Sequence, residues 1–234
     1  MRQRMFSGIL LFTILLASCG AGTNPASPMG SASGVQTADA SAQTEKIAFT
    51  DALGQAFSLE KPERVAVMIG SFADVWVLAG GEETLAATAN DAWESYGLAL
   101  GEGTANIGSP MKPNVELVLA AEPDLVIASS LSPSNLELKE TFDRSGIPAA
   151  YFDVSSFQDY LDLLELFTQL TGHPENYEIC GTAVKKQVDG AVGRRAVYSF
   201  APAVLTIQVS GSSVKVKNSE DNVLGPMLKE LGCE

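Results

Sequence analysis

Apolar and polar positions along residues 47–173 follow a pattern that predicts strands and helices in alternation. Short apolar runs typical of buried strands lie at residues 64–69, 84–89, 124–128 and 148–152. Helical patterns lie at residues 72–79, 114–121, 134–145 and 156–170. Because strands alternate with helices over short links, the pattern predicts a mainly parallel α/β sheet with helices on both faces. A hairpin of two short strands, at 47–50 and 56–59, is predicted ahead of this unit.

The helix predicted at residues 156–170 has the strongest amphipathic pattern in the chain. Its apolar face comprises Phe157, Tyr160, Leu161, Leu164 and Phe167. Ser156 and Asp159 have the spacing of a capping box, and Gly172 has the position of a C-terminal stop. Local sequence signals therefore define both ends of this helix.

A second group of elements follows. Residues 174–192 are predicted to form a long helix, and strands at 203–209 and 214–217 and a helix at 221–231 come after it. Residues 196–234 are fewer than the roughly 100 residues of a typical domain. These strands therefore either join the first sheet or begin a second domain that the chain does not complete.

The N-terminus has the layout of a secretory signal. Arg2 and Arg4 precede an apolar run at 9–16, and small residues then lead into Cys19. The run is shorter than the ~20 apolar residues of a membrane-spanning helix. The ending resembles the lipobox of bacterial lipoproteins, which implies a signal peptide at 1–18 and lipidation of Cys19. A lipid-anchored protein on the extracytoplasmic face of the cell membrane is therefore expected, because two or more acyl chains hold a protein stably on a bilayer.

Residues 19–44 are rich in Ala, Ser, Gly, Thr and Pro, and this composition predicts a disordered tether. The whole chain is 46% hydrophobic and 18% charged, as globular proteins are, with a formal net charge of −13. Such an acidic balance argues against nucleic acid as a partner, since phosphate binding needs clustered Lys and Arg.

Catalytic and metal-site signals are weak in this sequence. No G-x-G-x-x-G follows a predicted strand and no P-loop is present, so nucleotide chemistry is not indicated. The single histidine, His173, has no motif-placed serine or cysteine nucleophile. One histidine and three cysteines without metal-ligand spacing do not make a zinc site. We therefore expect neither an enzyme nor a cofactor nor a resident metal.

Six short motifs occur in an order that matches a known family. They are KPERVAV at 61–67, GSP at 108–110, PNVE at 113–116, AEPDLVIAS at 121–129, GIP at 146–148 and LTG at 170–172. Together they resemble the solute-binding lipoproteins of ABC importers for iron–siderophore, haem and cobalamin. The resemblance covers about residues 47–234.

The resemblance implies two α/β lobes joined by one rigid helix, with the ligand held in the cleft between them. On this reading a Rossmann-like N-terminal lobe occupies residues 45–173 and the connecting helix residues 174–195. Residues 196–234 then begin a truncated C-terminal α/β lobe. A monomer that captures a metal chelate or corrinoid and delivers it to the ABC permease subunits is implied.

The family's ligand lies against loops at the carboxyl ends of the first-lobe strands, where open α/β sheets generally bind ligands. The residues that these loops carry here are Ser71, Phe72, Asp91, Trp93, Ser109, Met111, Ser129 and Ser130. Trp93 is expected either to stack on a planar ligand or to pack under its own loop, and Phe72 and Met111 are also candidates for the core. Glu116 matches the residue that docks on the permease, although a glutamate at a helix start also suits the helix dipole.

Three other interpretations remain open from the sequence. The chain is a truncated inactive fragment, a structural surface lipoprotein without a transport role, or a binder of bare divalent ions. The third is disfavoured because zinc and manganese sites normally recruit histidines.

Overall fold

The computed structural model describes residues 46–195, 197, 202–210, 213–218 and 224–233. The predicted signal peptide, Cys19 and the predicted tether lie outside the described residues. Among the residues that are described, no helix is both long enough and apolar enough to span a bilayer.

The predicted hairpin is confirmed. Strands β1 (Ile47–Thr50) and β2 (Ala56–Leu59) pair antiparallel, with Phe49 opposite Phe57. These two rings stack with centroids 5.0 Å apart, and Phe49 also stacks on Phe152 at 6.0 Å. Aromatic packing thus holds the hairpin against the rest of the lobe.

A five-stranded parallel sheet forms the centre of the lobe. Its strands are β3 (Val65–Val67), β4 (Leu85–Thr88), β5 (Ala105–Asn106), β6 (Leu125–Ser129) and β7 (Ala149–Phe152). Their spatial order is β5-β4-β3-β6-β7, and every neighbouring pair is parallel. The predicted α/β class is confirmed, whereas the two-residue strand β5 was not predicted.

Helices cover both faces of this sheet. They are α1 (Gly70–Leu78), α2 (Asp91–Glu94), α3 (Val115–Ala120), α4 (Pro133–Leu136), α5 (Lys139–Ser145) and α6 (Phe157–Thr171). Val65 and Val67 belong to a core with α1 and α6, and Ala66 and Met68 belong to a second core with α3 and α5. Alternate residues of one strand thus point to opposite faces. The single helix predicted at 134–145 is in fact two, because the chain turns between Leu136 and Lys139.

The predicted long helix is present, with one irregularity. It runs through α7 (Glu175–Tyr177), a π-helical turn (Glu178–Thr182) and α8 (Ala183–Arg195). The Tyr160 hydroxyl of α6 donates to the Cys180 carbonyl at 3.2 Å, within the π-helical turn. Burial raises the pKa of Tyr160, with smaller contributions from Cys180 and Asp74, so this hydroxyl stays protonated as the donor. The irregular turn is thereby bonded to the lobe.

The C-terminal strands pair with each other and not with the first sheet. Strands β8 (Thr206–Ser210) and β9 (Ser213–Lys217) form an antiparallel pair, followed by α9 (Leu224–Glu230). Ile207 lies opposite Val216 and Val209 opposite Val214, so four apolar side chains share one face of the hairpin. Each is at least half exposed.

Candidate ligand-binding site

The loops that follow the five parallel strands meet at one edge of the sheet, which we call the carboxyl edge. It comprises residues 68–72, 89–98, 107–114, 129–134 and 153–156, after β3, β4, β5, β6 and β7 respectively. Every predicted ligand residue lies in one of these five segments. The sequence therefore predicted correctly which segments come together, because parallel strands place their carboxyl ends on the same side.

Hydrogen bonds connect the β3, β4 and β5 loops. The Gly70 backbone N–H donates to the Asp91 carboxylate at 2.9 Å, and the Asn90 N–H donates to the Gly108 carbonyl at 2.8 Å. Gly70 has no room for a side chain, since an added Cβ would lie 2.6 Å from the Ala92 nitrogen. The close approach of these two loops thus depends on a glycine at position 70.

Further hydrogen bonds join the β5 loop to the β6 loop and the β6 loop to the end of strand β7. The Ser134 hydroxyl donates to the Pro110 carbonyl at 2.7 Å, which joins α4 to the β5 loop. The Ser130 backbone N–H and hydroxyl both donate to the Phe152 carbonyl, at 2.9 and 3.2 Å. Hydrogen bonds therefore join the β3 loop to the β4 loop, the β4 loop to the β5 loop and the β5 loop to the β6 loop, and they tie the β6 loop to the last residue of β7.

Ser129 occupies the most constrained position at this edge. It is buried, its N–H donates to the Asn135 side-chain oxygen at 3.0 Å, and its hydroxyl accepts from the Leu131 N–H at 3.2 Å. Tyr151 donates its hydroxyl to the Asn135 carbonyl at 3.4 Å, and burial raises its pKa. Ser129 is thus held by the fold while its neighbour Ser130 lies nearer the surface.

The predicted aromatic and methionine positions differ in exposure. Phe72 is 5% exposed and lies in the core, whereas Met111 is 78% exposed. Trp93 is half-buried and packs against the same core as Phe72. Of these three, Met111 is the one whose side chain a ligand can reach most freely.

The remaining predicted serines are accessible in different degrees. Ser71 is half-buried in the first turn of α1. Ser109 is exposed, and its hydroxyl accepts from the Met111 N–H at 3.3 Å. The sequence analysis did not single out Leu131, which is 56% exposed between Ser130 and Ser132. Its position two residues after the buried strand β6 is the signal that marks it.

Charge at the carboxyl edge is sparse and mainly negative. Its segments contain the acidic residues Asp91, Glu94 and Asp153 and a single basic residue, Lys112. The carboxylate of Glu94 accepts from the Asn90 side-chain amide at 3.0 Å, and that of Asp153 accepts from the Ser155 hydroxyl at 2.5 Å. The edge thus consists mostly of hydroxyl and apolar groups.

The larger cavities do not coincide with this edge. One of about 500 Å³ lies at the opposite, amino-terminal end of β3, β4 and β5, beside Arg64, Glu82 and Thr104. Another of about 510 Å³ lies beside Lys46 and Lys61. An open surface encloses little volume, so the loops at the carboxyl edge and not a cavity define the candidate site.

The proposed docking residue Glu116 is exposed in the first turn of α3. Asn114 caps this helix, because its side-chain oxygen accepts from the N–H groups of Glu116 at 3.0 Å and Leu117 at 3.3 Å. The capping role therefore belongs to Asn114, and the Glu116 side chain is accessible to solvent.

Sequence comparison decides the family. The sequence profile of the periplasmic binding protein family matches residues 65–234, which is most of the chain. This chain belongs to the periplasmic binding protein family. The resemblance found in the sequence motifs is thus confirmed, and the family is one of solute-binding proteins.

Comparison of this periplasmic binding protein with individual relatives supports the same family. It is 26% identical over 175 residues to the uncharacterized ABC transporter substrate-binding lipoprotein YvrC of Bacillus subtilis (strain 168), covering 73% of this chain and 52% of the relative. The periplasmic haem-binding protein RhuT of Roseiflexus sp. RS-1 superposes with a TM-score of 0.60 at 20% identity, covering 73% of this chain and 64% of RhuT. The siderophore-binding protein BauB, solved with two acinetobactin molecules and ferric iron, gives a TM-score of 0.66 at 18% identity. The match covers 81% of this chain and 67% of BauB. The chain spans about half the length of the curated relative.

Proposed function

We propose that this protein is the ligand-capturing component of an ABC importer and that it binds a metal chelate at the carboxyl edge. The observation that carries the proposal is the match of residues 65–234 to a solute-binding family, together with four loops tied to one another at the edge where such sheets bind ligands. The named relatives RhuT and BauB bind haem and a ferric siderophore, which supports a chelate as the cargo.

Side-chain chemistry supports a chelate over a bare ion. The described residues contain no group of three or more His, Cys, Asp or Glu arranged to hold a metal. The carboxyl edge instead offers half-buried Trp93 and the exposed side chains of Met111 and Leu131. Apolar and aromatic surface with a few hydroxyl groups suits an organic ligand shell around a metal.

Capture at this edge does not require the loops to become ordered. Since hydrogen bonds already fix adjacent loops, little backbone entropy is lost when a ligand binds. The Gly70–Asp91 bond also fixes the turn that carries Trp93, two residues beyond Asp91. We therefore expect tight binding to arise from a surface that is rigid in advance.

Titration with chelates tests the proposal. A ferric siderophore, haem and cobalamin are added in turn while tryptophan fluorescence is followed, and saturable quenching by at least one class is expected. Trp76 is fully buried, with its indole N–H donating to the Gly81 carbonyl, so Trp93→Phe should abolish most of the quenching. A folded sample that responds to none of the three, also by calorimetry, would favour a non-transport surface lipoprotein or an inactive fragment.

We infer that Glu116 contacts the permease. Glu116→Arg should lower permease-dependent uptake at least tenfold and leave chelate affinity unchanged, because the residue is exposed and the helix cap is Asn114. Glu137→Arg, another exposed position, serves as the matched control. Equal loss of uptake and affinity in Glu116→Arg would contradict a docking role.

We also propose that Cys19 carries the lipid anchor. Cys19→Ala should move the protein from the membrane fraction to the soluble fraction and remove labelling by a fatty-acid analogue. Cys180→Ala, a free thiol in the folded body, should retain both properties. An unlabelled wild-type protein would refute the anchor without affecting the proposed ligand.

A further inference from the structure

We propose that the carboxyl edge selects chelates of zero or positive net charge and excludes polyanionic ones. A ferric tris-hydroxamate is the representative of the accepted class, and a ferric tris-catecholate is the representative of the rejected class. The inference rests on the proposed function and adds to it the charge class of the cargo.

Fixed charge at the edge carries the argument. Three carboxylates belong to its five segments, whereas Lys112 is their single lysine or arginine. The three carboxylates are held in place by donors of the protein: the Gly70 N–H, the Asn90 amide and the Ser155 hydroxyl. Negative charge is therefore a built part of this surface.

A trianion would find little to compensate its lost hydration here. Polyanion recognition uses clustered or bidentate arginines, and no arginine lies in the five segments. Lys112 is exposed, and a single exposed ammonium interacts weakly with an anion because water and salt screen it. Contacts at the edge would thus offset little of the free energy that desolvation of a triply charged ligand costs.

The electrostatic field of the whole chain also disfavours anionic ligands. The formal net charge is −13 for the full sequence and −15 without the predicted signal peptide, which carries Arg2 and Arg4. This negative charge repels anions over distances beyond direct contact and slows their association. An uncharged chelate experiences neither the repulsion nor the large desolvation penalty. Global and local electrostatics therefore favour the same class of ligand.

Chelate chemistry separates the two classes clearly. Three singly charged hydroxamates cancel the charge of Fe³⁺, whereas three doubly charged catecholates leave a net charge of −3. The edge presents to an uncharged chelate the hydroxyls of Ser109 and Ser130 and the exposed side chains of Met111 and Leu131. Hydroxyl groups donate to ligand oxygens without requiring a counter-charge, and the apolar groups cover the organic shell.

Competition between chelates of known charge tests the inference on the full chain. Dissociation constants are measured by fluorescence and calorimetry for an uncharged ferric tris-hydroxamate, a ferric tris-catecholate, haem and cyanocobalamin at 0.05 and 0.5 M salt. The tris-hydroxamate and cyanocobalamin are uncharged, whereas the tris-catecholate and haem, through its two propionates, are anionic. We expect one of the uncharged ligands to bind at least a hundredfold more tightly than either anionic ligand. This ratio of dissociation constants should become smaller at high salt. Tighter binding of the tris-catecholate or of haem would overturn the charge inference and leave the proposed function intact. Failure of all four to bind would instead refute the proposed function.

A variant that introduces a positive charge at the edge gives an independent readout. Met111→Arg places a guanidinium at a position that is 78% exposed, so folding should not be affected, and Met111→Gln is the uncharged control. We expect Met111→Arg to raise tris-catecholate affinity at least tenfold relative to Met111→Gln. Equal affinities in the two variants would contradict electrostatic exclusion at this edge.

Discussion

Asp51 shows how much one buried side chain can organise. One of its carboxylate oxygens accepts from the N–H groups of Leu53 at 3.0 Å and Gln55 at 2.8 Å, which closes the β1–β2 turn. The other oxygen accepts from the Tyr151 N–H at 3.1 Å, and the Ala52 N–H donates to the Tyr151 carbonyl at 2.8 Å. The turn therefore satisfies the outward-facing backbone groups of Tyr151 on the edge strand β7.

Replacement of Asp51 by alanine should lower the free energy of unfolding by about 2–3 kcal/mol, because three backbone N–H groups lose a charged acceptor. Urea denaturation followed by circular dichroism measures the change. Glu60→Ala, an exposed carboxylate beyond the hairpin, should shift stability by less than about 0.5 kcal/mol. Equal effects in the two variants would contradict the role given to Asp51.

Gly70 is the second residue on which the site depends. Gly70→Ala should cost about 1–3 kcal/mol, since the new methyl group would overlap the backbone of Asp91 and Ala92. Trp93 fluorescence should shift in the same variant, because the turn that carries it must move. Gly103→Ala is the matched control, since nothing lies within 4 Å of its added Cβ. An unshifted spectrum in Gly70→Ala would contradict the coupling of the two loops.

Among the elements, α6 follows most directly from its sequence. The Asp159 N–H donates to the Ser156 hydroxyl at 3.1 Å and the Ser156 N–H donates to the Asp159 carboxylate at 2.7 Å, which confirms the predicted capping box. Gly172 adopts φ 77° as the helix ends, which confirms the predicted stop. Both signals act within a few residues of the helix, so they can be recognised without the tertiary structure.

Ser156→Ala should destabilise the lobe by about 1 kcal/mol through the loss of this cap. Thermal and urea unfolding measure the effect. Gln158→Ala lies on an exposed position of the same helix and should change stability by less than about 0.5 kcal/mol. A change of the same size in both would assign the loss to the helix as a whole and not to its cap.

Other elements could not be predicted, because they depend on distant neighbours. Strand β5 has two residues, and its existence depends on pairing with Ala87 and Thr88 of β4. The bond from Ser134 to Pro110 joins positions 24 residues apart, and no local pattern specifies it. The sequence could therefore predict which loops gather at the carboxyl edge and that Phe72 was a candidate for the core, but not which hydrogen bonds tie the loops. The core position considered for Met111 is wrong, because its side chain lies on an exposed loop.

At the scale of the molecule, the two cores formed by the described residues lie entirely between residues 47 and 180. The five-stranded sheet and the helices that cover it fall in the same span. The strands β8 and β9 pair only with each other among the described residues. This arrangement indicates that the lobe carries its own hydrophobic stabilisation.

A fragment of residues 46–195 should therefore fold without the residues that follow. We expect cooperative unfolding with a urea midpoint within about 0.5 M of that of the chain ending at residue 234, since both hydrophobic cores lie within the fragment. Circular dichroism and tryptophan fluorescence should give coincident curves. A non-cooperative fragment would show that residues after 195 are needed for the core.

The bonds between neighbouring loops have a consequence for how such a protein could acquire a new cargo. An insertion in one loop would disturb another, because Gly70, Asn90 and Ser134 each join two loops and Ser130 joins its loop to the end of β7. Single substitutions at Met111 or Leu131, whose side chains extend into solvent, would leave those joins intact. Evolutionary change of specificity should thus proceed by replacing exposed side chains on an unchanged backbone and not by remodelling the loops.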